Sequence, residues 1–70
     1  MIDPVVKEER RQKLLEVYGI GVSKWRYKSD KGIWFGEFRL EGEDYETENY
    51  ATRREAEDKA IILYETILKL

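Results

Sequence analysis

Val22-Ser23-Lys24-Trp25-Arg26-Tyr27-Lys28 runs into Ser29-Asp30-Lys31-Gly32, and that into Ile33-Trp34-Phe35-Gly36-Glu37-Phe38-Arg39-Leu40. The two outer runs alternate with a period of two, which suits strands with one face buried. The four residues between them are turn chemistry, with Asp and Gly favouring a tight hairpin. Glu41-Gly42-Glu43-Asp44 reads as a second turn. Tyr45–Tyr50 is a third alternating run, with Tyr45, Thr47 and Asn49 opposite Glu46, Glu48 and Tyr50. Connections this short join neighbouring strands, so residues 22–50 predict a three-stranded antiparallel meander.

Helical patterns flank the meander on both sides. Asp3-Pro4 suits a helix start, because Asp caps well and Pro costs little in the first turn. Val5–Tyr18 then lacks Gly and Pro. Val6, Leu14, Val17 and Tyr18 fall on one side at helical spacing, with the stem of Arg10 between them, and Gly19 is placed to end the helix. At the other end Thr52-Arg53-Arg54-Glu55 is a capping box. Ala56, Ala60, Leu63, Tyr64, Ile67 and Leu68 follow at spacings of three and four, a broad apolar stripe. Small Ala56 and Ala60 would let the start of this helix approach the sheet closely. The reading is an α+β domain of order α-β-β-β-α over residues 1–70, with both helices packed on one face of the meander and the other face open.

Composition narrows the function. The chain has 70 residues, which allows one domain with a thin core. It has no Cys and no His, so there is no imidazole base, thiol nucleophile, disulfide or ordinary zinc site. Ser23 and Ser29 have no His partner, and nothing pairs two carboxylates for acid–base work. We expect no enzyme, no metal and no cofactor. No apolar run approaches the ~20 residues of a membrane span, and no secretory segment follows Met1, so the expected setting is intracellular, in the cytoplasm. The net charge of −2 hides an asymmetry. Nine Lys/Arg stand against six Asp/Glu through residue 39, and four against nine after it. Such asymmetry between halves hints at a partner.

The cations point to a surface. If Trp25, Tyr27, Trp34 and Phe38 pack beneath the helices, then Lys24, Arg26, Lys28, Phe35, Glu37 and Arg39 point outward. Basic side chains beside an aromatic suit a nucleic-acid backbone, and a sheet can enter a major groove. A strand face lined with Lys and Arg also serves plain solubility. Arg53 and Arg54, at a helix start, could hold a phosphate. The acidic set Glu41, Glu43, Asp44, Glu46 and Glu48 lacks the ligand spacing of a calcium loop, but could meet a basic protein surface or imitate phosphates.

A resemblance enters with Gly21-Val22, Trp34-Phe35-Gly36-Glu37-Phe38 and Tyr50-Ala51-Thr52-Arg53-Arg54-Glu55-Ala56. This spacing resembles the Apetala-type DNA-binding domain of plant ethylene-response factors and phage homing endonucleases, and the arm-binding domains of some integrases. That likeness implies duplex DNA read by a three-stranded sheet, with Lys24, Arg26, Trp34 or Phe35, Glu37 and Arg39 as contacts. The complete element order also resembles the double-stranded-RNA-binding domain, which implies that Thr52-Arg53-Arg54-Glu55-Ala56-Glu57 would lie at phosphates. The leading expectation is a small non-enzymatic nucleic-acid-binding domain, duplex DNA favoured over RNA, acting as a monomer or weak homodimer through Lys24, Arg26, Lys28, Phe35, Arg39, Arg53 and Arg54. The alternative is an acidic protein-interaction or inhibitor module of viral or mobile-element type that keeps the fold without binding nucleic acid.

Overall fold

The computed structural model describes the backbone of residues 4–69 and the side chains of residues 8–69. Its order is α1 (Pro4–Tyr18), β1 (Gly21–Ser29), β2 (Gly32–Leu40), β3 (Glu43–Glu46) and α2 (Arg53–Leu68). The strands form one antiparallel sheet in the order β1-β2-β3, so β1 and β3 are both edges. The α-β-β-β-α architecture is the expected one. The proposed Asp3 cap and the Val6 side chain lie outside the described residues.

Helix ends follow local chemistry. α1 stops at Gly19, whose φ of +70° suits a residue without Cβ. The Ile20 N–H then donates to the Leu15 carbonyl at 2.9 Å, and the Gly19 N–H to Glu16 at 3.2 Å, the bonding of a Schellman cap. α2 begins at Thr52, whose hydroxyl accepts from the Glu55 N–H at 3.2 Å as the capping box predicts.

α2 lies directly across the sheet, and α1 packs mainly against α2. The closest approach is at Gly36, where a Cβ would stand 2.6 Å from the Ala60 Cβ and 3.3 Å from the Ala56 carbonyl. Ala56 and Ala60 are fully buried there, as their small size predicted. Phe38 sits 5.0 Å from Tyr64, and Tyr64 stacks on Tyr18 of α1 at 4.1 Å, so one aromatic series runs from sheet through α2 to α1. Leu15, Phe35, Phe38 and Ile61 complete a core in which no large side chain among the described residues is wholly shielded from solvent. A 70-residue domain buries few such groups, so each one counts heavily.

The α1 stripe differs in phase from the expected one. Arg11 and Leu15 are buried, whereas Val17 is 67% exposed and Arg10 faces solvent. Arg11 takes the inward position because α2 offers Asp58 there, and a paired guanidinium can be enclosed where an unpaired one could not. On α2, Ile61 and Glu57 are buried and Leu68 is exposed, again a small rotation from the expected stripe.

The third strand is shorter and starts earlier than the alternation predicted. Glu41 and Gly42 both adopt positive φ, 52° and 82°, and form a two-residue turn that lets Leu40 pair with Glu43 at once. Regular pairing ends at Glu46, and the Gly36 N–H then donates to the Thr47 hydroxyl at 2.9 Å instead of to a backbone carbonyl. The ladder resumes once, where Trp34 and Tyr50 exchange both backbone bonds. Beside it, Gly32 has φ +122° and lies so close to the Tyr50 carbonyl that no side chain fits. The β1–β2 turn is thereby fixed against the chain entering α2.

Candidate nucleic-acid interface

The register of β1 on β2 decides where the cations go. Ser29 pairs with Gly32 at the turn. Carried onward without interruption, that register would set Tyr27 beside Trp34 and Trp25 beside Gly36, the arrangement expected from sequence. Instead Lys24 pairs with Trp34, Ser23 with Phe35 and Val22 with Gly36. Four residues of β1, from 25 to 28, therefore stand opposite Ile33 alone. This bulge inserts three extra residues, and an odd number inverts which side chains share a face.

The helix-side face of β2 is the one carrying Gly36 and Phe38, by their contacts with Ala60 and Tyr64. Lys24 and Val22 share it. The Lys24 ammonium lies 5.4 Å from the Trp34 ring centroid, a cation–π contact at the uncovered end of that face. Phe35 is on the reverse face but is only 9% exposed, with Trp25 standing perpendicular to it at 5.1 Å. Trp25 and Tyr27, expected beneath the helices, are 39% and 69% exposed. The expected wet face with Lys24, Arg26, Lys28, Phe35 and Arg39 side by side is thus corrected: the bulge moves Lys24 to the helix side and Phe35 into a buried aromatic pair.

The remaining reverse face is not basic. Glu37 is directly opposite Glu46, and Arg39 opposite Asp44. The Arg39 guanidinium lies 3.5 Å from that carboxylate. Like charges face to face are unfavourable, so this region is electrostatically poor ground for phosphate.

The two cations at the α2 start stand beside carboxylates. The Arg54 guanidinium binds Glu8 of α1 at 3.1 Å, and the Arg53 guanidinium lies 3.6 Å from the buried Glu57. Behind them Arg11, with its side chain almost wholly enclosed, donates from Nε to Asp58 at 2.6 Å and from its terminal nitrogen to Glu8. The hydrogen bond to Asp58 is the main cause that raises the Arg11 pKa above its ordinary value. Glu8 therefore bridges Arg11 and Arg54 and ties α1 to α2. Sequence reasoning missed Arg11, and its only signal was a spacing of four from Leu15 on a helix with few apolar residues.

Three of the candidate cations are left: Lys24, Arg26 and Lys28. All are exposed, and none has a carboxylate within 4.0 Å among the described residues. They occur on one edge strand, interleaved with Trp25 and Tyr27. No cluster of three or more acidic groups that could hold a metal ion occurs among the described residues, and no described helix is long and apolar enough to cross a membrane. Compared with family models, with curated proteins and with solved structures, the chain shows no match.

Proposed function

We propose that this chain is a small, non-enzymatic nucleic-acid-binding domain whose contact surface is β1 rather than the whole sheet. The carrying observation is that unpaired cations and exposed rings coincide on one strand. Among the described residues Lys24, Arg26 and Lys28 hold no carboxylate, and unlike the equally unpaired Arg10, Lys13, Lys59 and Lys69 they alternate with the exposed Trp25 and Tyr27. Unpaired cations on an exposed strand can neutralise phosphates without first giving up an internal partner, and they gain from counterion release. Arg39, Arg53 and Arg54 would exchange a weak, largely exposed ion pair to do the same, a modest handicap. The likenesses to sheet-reading DNA-binding domains and to the double-stranded-RNA-binding domain support the reading at the level of architecture only.

Binding should be strongest at low salt. Lys24→Ala, Arg26→Ala and Lys28→Ala should each reduce the dependence of log affinity on log salt by about one unit. Wild-type affinity and slope in all three variants would remove β1 as the contact.

A second reading has its own observation. Glu37 opposite Glu46 leaves an acidic pair on the reverse face, beside the matched Arg39 and Asp44, that a basic protein surface would complement. Glu46→Lys separates the two: it should strengthen nucleic-acid binding under the first and abolish partner binding under the second.

A further inference from the structure

We infer that the nucleic acid taken by β1 is a single strand, with bases stacked on Trp25 and Tyr27 and phosphates held by Arg26 and Lys28. This rests on the nucleic-acid reading above and names its substrate class.

The first support is exposure. The chain has two Trp, five Tyr and two Phe, and every one except Trp25 and Tyr27 is buried or half-buried. A thin core would gain from enclosing these two rings as well. The bulge instead lifts residues 25–28 out of the ladder and leaves both rings at the surface. Trp25 is braced there by its perpendicular contact with the buried Phe35. A ring held in place before binding loses less freedom when a base settles on it.

The second support is order along the chain: Arg26 stands between the two rings and Lys28 follows them, so cations alternate with exposed aromatics on one edge strand. Base–aromatic stacking with cations along the track is the usual chemistry of single-strand binding.

The test is fluorescence anisotropy at low salt with three labelled probes: oligo-dT, oligo-U and a mixed-sequence DNA duplex, each about fifteen nucleotides or base pairs long. The proposal expects both single strands, or one of them, to bind at least about tenfold more tightly than the duplex. Tyr27→Ala should weaken single-strand binding by about tenfold, while Tyr27→Phe keeps it, since stacking needs the ring and not the hydroxyl. Trp25→Ala should act likewise. Because Trp25 also covers Phe35, the highly exposed Tyr27 is the deciding site if the Trp25 variant unfolds. A duplex bound as tightly as the single strands, or a Tyr27→Ala variant that binds like wild type, overturns this inference and leaves the nucleic-acid reading standing. No binding of any probe overturns both. The dT and U arms separate DNA from RNA.

Discussion

The seam between α1 and α2 and the strand β1 are both rich in cations, yet they use them in opposite ways. In the seam three guanidiniums are matched: Arg11 with Asp58 and Glu8, Arg54 with Glu8, Arg53 with Glu57. Along β1, Lys24, Arg26 and Lys28 are exposed, with no carboxylate within 4.0 Å among the described residues. The lesson is that the density of Lys and Arg in a sequence says little about a binding face. What counts is where the fold puts them: Arg11 is enclosed and spent on Asp58 and Glu8, whereas the β1 cations stand beside exposed rings.

That contrast can be broken most forcefully at Arg11. Replacing it with Ala removes an enclosed side-chain stem and its charge-assisted hydrogen bonds to the half-exposed Asp58 and Glu8, and should cost about 2–3 kcal/mol. This is a large share of the stability of a domain this size. Urea unfolding would measure it, and a loss below ~0.5 kcal/mol would show that the seam is held by apolar contact alone. Next comes Gly36→Ala, a change beneath the seam. Its new Cβ meets Ala60 at 2.6 Å, so α2 must shift, at about 1–3 kcal/mol. Affinity for oligonucleotides should change little in whatever fraction remains folded.

The β1 cations should behave in the reverse sense. Arg26→Ala and Lys28→Ala should alter stability by no more than ~0.5 kcal/mol while weakening binding, and Lys24→Ala should add only the small loss of its contact with Trp34. A β1 variant that unfolds the domain would blur the distinction between the two regions. The smallest effect belongs to Tyr18, which is half-buried and donates its hydroxyl to Glu65 at 3.1 Å. Burial first, and then that hydrogen bond, raise its pKa above the usual phenol value. Its contribution is whole below about pH 10, where the unfolded phenol keeps its proton, and falls as pH rises through the folded pKa. Tyr18→Phe should therefore flatten the alkaline end of the stability profile while leaving neutral-pH binding intact.

Much of the architecture was legible because its signals are local. The Asp30–Gly32 turn, the Thr52 cap, Gly19 and the small pair Ala56 and Ala60 each act within a few residues or through size alone. The α1 stripe was read only in part: Tyr18 lies inward as expected, but so do Arg11 and Leu15, and no apolar pattern marks an arginine that is enclosed only when Asp58 arrives from 47 residues away. The candidate site was half legible. Lys24, Arg26 and Lys28 could be named from the sequence, but Phe35, Arg39, Arg53 and Arg54 look equally available there.

By itself, then, the chain determined the order of helices and strands, the positions of its turns and the lopsided distribution of charge, since all of these follow from periodicity, backbone preference and composition. Only the tertiary structure decided which side chains share a face and which cations are already matched. The physical reason is parity and distance: three extra residues opposite Ile33 invert the alternation of β1 against β2, and an ion pair forms only when folding brings two remote charges within a few ångströms of each other.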